Sequence, residues 1–159
     1  MSDVDHRSLT HNHEPILLAD ENEDSILLVY EGFKKAGIER PLFVVFDGQH
    51  VIDYLAGSGR FQDRKNYPWP SLVLLSTDLA DKTGMEVLQW MRQGENPARG
   101  LPAILFSMAP NKSEMKKALE LGAYDYLPKC LTPEEFVEWA KGLKESWPTP
   151  VNGRVAERF

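Results

Sequence analysis

Cysteine is almost absent: Cys130 stands alone among 159 residues, which excludes an internal disulfide and fits a reducing compartment. Long apolar runs are missing as well. No stretch approaches the roughly 20 apolar residues of a membrane-spanning helix, and the polar, acidic start "MSDVDHRSLTHNHE" has no signal-peptide core. These absences predict a cytoplasmic protein without membrane contact. Basic charge is in short supply, with 18 Lys and Arg against 24 Asp and Glu and a net charge of −6. A nucleic-acid surface is therefore not expected. Neither a G-x-S-x-G elbow nor an H-E-x-x-H helix occurs, and "GSG" at 57–59 lacks the context of a phosphate loop. An enzyme is not expected.

What is present is alternation. Residues 1–14 have no apolar periodicity and read as a mobile tail. "PILLAD" (15–20), "LFVVFD" (42–47) and "SLVLLSTDL" (71–79) read as buried strands, the first a short apolar run of the kind buried on both faces of a sheet; "PAILFS" (102–107) and "YDYLPK" (124–129) supply strands four and five. Between them lie helical patterns. "NEDSILLVYEGFKKAG" sets Ile26, Leu27, Tyr30 and Phe33 at helical spacing and ends on Gly37, a C-terminal cap. "GQHVIDYLAG" closes at Gly57, "GMEVLQWMRQG" turns Val87, Leu88 and Met91 inward, and "SEMKKALELG" supplies a fourth helix. The fifth opens on Thr132 with Pro133 and Glu135 in a capping box and carries an apolar stripe of Phe136, Trp139, Leu143 and Trp147. Residues 58–70, "SGRFQDRKNYPWP", form a long polar loop. Residues 148–159 are too short and proline-broken for a further domain, leaving one domain over 15–147.

Five strands alternating with five helices predict a parallel, doubly wound α/β sheet. Ligands of such sheets sit at the carboxyl ends of the strands. Those ends here are Asp20 and Glu21, Ser76 with Thr77 and Asp78, Ser107, and Lys129. An acidic pair, hydroxyls and a lysine therefore converge.

The chain from 15 to 147 resembles the receiver domain of two-component response regulators. "ILLADENEDS" is similar to that family's first strand and acidic pair, "PSLVLLSTDLADKTGMEVL" to its phospho-acceptor segment, and "LPAILFS" to the strand carrying the switch hydroxyl. "ALELGAYDYLPK" is similar to the segment with the switch aromatic and the lysine, which fall on Tyr126 and Lys129. The loop with "YPWP" looks like the stand-alone, phytochrome-associated subgroup. The resemblance implies a flavodoxin-like (βα)5 fold with strand order 2-1-3-4-5 and a Mg²⁺ held by acidic residues. It also implies a sensor histidine kinase or downstream signalling protein as partner; a homodimer is left open.

The departures matter more. Family receivers carry an aspartate where Ser76 stands, and Cys130 replaces the proline usually following the lysine. From Pro70 to Ser76 is six residues and from Ser76 to Gly84 eight, both matching the family's spacing. No gap moves Asp78 into the acceptor place. A serine hydroxyl must lose its proton to attack phosphorus and so needs a base; an aspartate does not. The expected role is a pseudo-receiver working by protein–protein contact, with Ser76 equivalent to the acceptor, Asp20, Glu21 and Asp78 holding metal weakly, and Ser107, Tyr126 and Lys129 as switch and phosphate-binding groups. Residues i and i+2 of a strand share a side, so continued extension past Ser76 would aim Asp78 at the pocket. One alternative is a phosphorylatable regulator using Asp78, or an aspartate at 76 in a parent sequence. Another, of a different class, is a flavodoxin-like cofactor binder.

Each residue also has a plainer reading. Asp20 and Glu21 suit a helix N-terminus, Lys129 a solvated surface, Ser107 a strand end and Tyr126 a sheet edge. Trp69 packs beneath its loop, Cys130 packs without redox chemistry, and His11 with His13 lacks the further ligands a metal needs.

Overall fold

In a computed structural model, residues 14–150 are described; the expected terminal tails, and with them His11 and His13, lie largely or wholly outside these. Five strands, β1 (Ile16–Ala19), β2 (Leu42–Val45), β3 (Leu72–Ser76), β4 (Ala103–Ser107) and β5 (Asp125–Pro128), form one sheet in the order β2-β1-β3-β4-β5. All neighbours are parallel. The helices are α1 (Glu23–Lys35), α2 (Gly48–Ala56), α3 (Gly84–Met91), α4 (Lys112–Glu120) and α5 (Pro133–Glu145).

Strand alternation sends successive side chains to opposite faces, and each face builds its own core. Leu17, Ala19, Val73, Leu75 and Leu105 meet α2, α3 and α4 through Val51, Leu55, Val87, Leu88 and Ala118. Ile16, Leu18, Leu72, Leu74, Ile104 and Phe106 meet α1 and α5 through Val29, Phe33, Phe136 and Leu143. The apolar runs are continuous because both faces are covered.

Local signals act as expected at the helix ends. Gly37 is left-handed at φ 83°; its N–H donates to the Lys34 carbonyl, and the Ile38 N–H reaches back to Phe33, closing α1 with a Schellman turn. The Thr132–Glu135 capping box forms with Pro133 in the first turn. The apolar spacing of α1 does not coincide with its buried face. Leu27 and Tyr30 of α1 are each 53% exposed, and the buried face is Ser25, Val29, Gly32 and Phe33. The reason is α5: a Cβ on Gly32 would lie 2.2 Å from the Phe136 ring, so the closest helix contact selects the smallest residue.

The loop before β3 is a packed structure. A 3₁₀ turn (Gly59–Gln62) buries Phe61, whose ring lies 5.1 Å from Tyr54 and 5.0 Å from Tyr67. Trp69 packs against the same core, as the plainer reading held. The buried Tyr54 donates its hydroxyl to the Pro68 carbonyl at 2.7 Å.

Burial pushes the Tyr54 phenol up from 10.0 to about 12, against a smaller downward pull from Arg64. The folded state thus holds this proton more tightly than the unfolded chain. The resulting stability is fully present below pH 10 and is lost as pH rises toward 12. Denaturant titrations should show about 2–3 kcal/mol disappearing across that interval. Tyr54→Phe should cost about 1 kcal/mol at pH 7 and flatten the alkaline loss. Equal alkaline losses in both proteins would refute the assignment.

Candidate functional site at the carboxyl ends of the strands

Asp20 follows the last residue of β1, Ser76 ends β3, Ser107 ends β4, and Lys129 follows β5. Parallel register brings these ends to one edge, and the backbone ties them further: the Lys129 N–H donates to the Ser107 carbonyl at 2.7 Å and the Thr77 N–H to the Phe106 carbonyl at 3.0 Å.

At the centre is an ion pair. Lys129 Nζ lies 2.9 Å from Asp20 Oδ2, with side chains only 3% and 1% exposed. Asp20 Oδ1 accepts the Asn22 N–H at 3.0 Å, while Oδ2 makes no hydrogen bond beyond its contact with the ammonium. Asp78 Oδ2 also approaches Lys129 Nζ, at 3.7 Å, from a side chain 45% exposed. Lysine 129 is thus held between two carboxylates of unequal burial. Glu21 is exposed beside them.

Ser76 is buried, and its Oγ accepts the Asp78 N–H at 3.2 Å. The strand stops there: Thr77 and Asp78 are turn residues, so the extension that would aim Asp78 inward is broken. The Thr77 hydroxyl donates to Asp78 Oδ1 at 3.2 Å. The carboxylate reaches Lys129 by a turn rather than by strand alternation.

Gly84 explains the fixed distance between strand and helix. A Cβ there would stand 2.3 Å from the Ser76 carbonyl oxygen, so α3 begins directly against the end of β3 only because residue 84 has no side chain. Between them, Asp81 was not singled out by sequence. Its carboxylate accepts the N–H groups of Gly48 at 2.8 Å and Gln49 at 3.0 Å, capping α2. Burial pushes its carboxyl up, but those backbone donors outweigh it and hold the pKa below the ordinary value.

Ser107 and Tyr126 share a partner the sequence did not announce. Ser107 Oγ donates to Glu114 Oε1 at 3.0 Å, and the buried Tyr126 hydroxyl donates to the same oxygen. The Tyr126 phenol is held above its ordinary value, first by burial and then by the Glu114 carboxylate.

Chemically, the edge offers two carboxylates around one buried ammonium, with the buried Ser76 and Ser107 at neighbouring strand ends. Among the described residues no three His, Cys, Asp or Glu side chains converge tightly enough to hold a metal ion. Asp20 and Asp78 supply hard oxygen donors of the type Mg²⁺ takes, but Lys129 already occupies the space between them. The acidic edge is the opposite of what a flavin phosphate requires, which is exposed N–H groups and positive charge.

Comparison with known proteins places the fold in a family. The pattern of the response regulator receiver domain family matches residues 16–141. The response regulator Rcp1 of Synechocystis is 27% identical over 132 residues, covering 83% of this chain and 87% of Rcp1. Among solved structures, response regulator RPA3017 in red light signalling of R. palustris is 30% identical with a TM-score of 0.77, covering 84% of this chain and 93% of that one. The Mn²⁺-bound form of Rcp1 is 25% identical with a TM-score of 0.73 over 87% and 99%. Among the described residues no helix is long and apolar enough to cross a membrane.

Proposed function

The chain belongs to the response regulator receiver domain family, and from that premise we propose that it is a pseudo-receiver. It takes part in two-component signalling by binding a sensor histidine kinase or a downstream protein rather than by accepting phosphate. Ser76 carries this reading. It closes β3, packed against Gly84 with its side chain buried, and it offers a hydroxyl where the family's chemistry needs an ionised carboxylate. The two strand-end carboxylates are committed: Asp20 to Lys129 at 2.9 Å, and Asp78 to Lys129 at 3.7 Å and to Thr77. Neither is free to take the serine proton. The face formed by α4, β5 and α5 is the partner surface in this reading, with Met115, Leu119 and Tyr124 exposed on it.

A divalent ion, if bound, would be held by Asp20 and Asp78 with Glu21 from the rim, and would supply charge neutralisation there. Two carboxylates already paired to a lysine make that binding weak. The solved Mn²⁺-bound Rcp1 makes the ion class a reasonable one to titrate.

A second reading rests on the Asp78–Lys129 contact at 3.7 Å, which gives Asp78 the cationic neighbour an acceptor needs. Incubation with acetyl phosphate and Mg²⁺ followed by intact mass separates the two. The expected result is unmodified protein. A labile adduct of one phosphoryl group, abolished in Asp78→Asn, would replace the pseudo-receiver with a regulator phosphorylated on Asp78. An adduct abolished only in Ser76→Ala would place the chemistry on serine.

A further inference from the structure

A serine or tyrosine hydroxyl carries a single proton to donate, and an ionised carboxylate only accepts. In this fold both switch-position hydroxyls spend that proton on the same atom. Ser107 Oγ donates to Glu114 Oε1 at 3.0 Å and Tyr126 donates to the same oxygen. Each also accepts once: Ser107 Oγ takes the Ala109 N–H at 3.2 Å and Tyr126 the Asn111 N–H at 3.4 Å. With its proton on Glu114, Ser107 has none to donate toward the edge where Lys129 and Ser76 stand. The backbone of Glu114 is fixed in the first turn of α4, where its N–H donates to the capping side chain of Asn111 at 2.8 Å.

We propose that Glu114 is an internal latch that takes the place of a phosphoryl group as acceptor for the switch pair, holding Ser107 off the pocket, Tyr126 inward and the first turn of α4 against β4 and β5. Three elements meet at one carboxylate oxygen, and charge-assisted hydrogen bonds of this kind are about twice as strong as neutral ones. The inward aromatic is then a property of this chain's own acid, independent of what occupies the strand ends. The exposed Met108 and Met115 flank the latch, so its state is written onto the surface between the β4–α4 loop and α4. This inference stands on the hydrogen bonding alone and holds whether or not residue 78 accepts phosphate.

The test is solution NMR of the full chain in three forms, with a soluble gadolinium chelate as the probe of exposure. In wild type the Tyr126 ring should be shielded from the probe. Glu114→Ala should remove that shielding, shift the amides of residues 107–112 and leave the Lys129 and Asp20 signals in place. Glu114→Gln keeps an acceptor oxygen without its charge, so it should shift the same amides in the same direction by less. A folded Glu114→Ala protein with Tyr126 still shielded and residues 107–112 unmoved would overturn the latch. If the alanine variant does not fold, the glutamine variant decides: unmoved amides refute the proposal and shifted ones sustain it.

Discussion

Lys129→Met is expected to destabilise the fold by about 3–5 kcal/mol, the cost of leaving a buried charge without its partner. For a domain of this size that corresponds to a drop of roughly 6–20 °C in Tm. The argument runs through Asp20 rather than through the lysine. Its carboxylate is 1% exposed, with one oxygen on the Asn22 N–H and the other against Lys129 Nζ at 2.9 Å. Methionine fills most of the lysine stem's volume, so packing loss is small and the effect isolates the charge. Asp78 makes matters worse, because the same ammonium offsets its negative charge at 3.7 Å. The double variant Asp20→Asn with Lys129→Met should recover much of the loss, since neither charge then remains to be solvated. Chemical denaturation of the four proteins gives the coupling directly. A single-variant loss under about 1 kcal/mol would mean the pair behaves like an exposed one, and the fixed-lysine picture of this site would fail.

How much of this could be seen in the sequence depends on the range of the interaction. The strands were legible because both faces of the sheet are covered, so the central strands β1, β3 and β4 had to be apolar up to their carboxyl ends, and the caps at Thr132 and Gly37 were legible because capping is decided within a few residues. Gly84 was legible as a spacing; its cause, the Ser76 carbonyl 2.3 Å from where a Cβ would stand, was not. Helical spacing of the large apolar residues marks α1 as a helix but not its buried face: Gly32 lies against Phe136, while Leu27 and Tyr30 stay outside. Glu114 gave no signal at all: it sits in a run of charges that reads as a solvated helix face. Arg92 was equally silent. Its guanidinium donates to the carbonyls of Leu121, Ala98, Arg99, Leu101 and Gly122, and burial pulls it down to about 10. Joining the end of α3 to the turns before β4 and β5, it acts across up to 30 residues, a distance at which periodicity is blind.

Ser76→Asp should convert an inert edge into a reactive one: no adduct in wild type, and a labile phosphoryl adduct approaching one per chain with acetyl phosphate and Mg²⁺. The substitution supplies a nucleophile that is already ionised, so no base has to be found among residues bound to Lys129. The backbone that carries it does not need to move, because Gly84 already seats α3 on the residue 76 carbonyl. The new carboxylate reaches one carbon further than the serine, toward Asp20, Asp78 and the ammonium between them. Three negative groups around one lysine repel, at about 1–3 kcal/mol in a partly solvated setting, so without metal the variant should be less stable than wild type. Mg²⁺ should reverse that and raise its Tm more than it raises wild type's, because a third carboxylate completes a site that hard cations favour. Phosphorylation would then set the phosphoryl oxygens in competition with Glu114 for the single proton of Ser107, whose Oγ lies 3.0 Å from that acid. Adding Glu114→Ala to Ser76→Asp should therefore lengthen the adduct's lifetime or tighten beryllofluoride binding. If Ser76→Asp binds Mg²⁺ but gains no adduct, the Asp20–Lys129 pair and not the missing carboxylate is what silences the site, and breaking that pair becomes the necessary step.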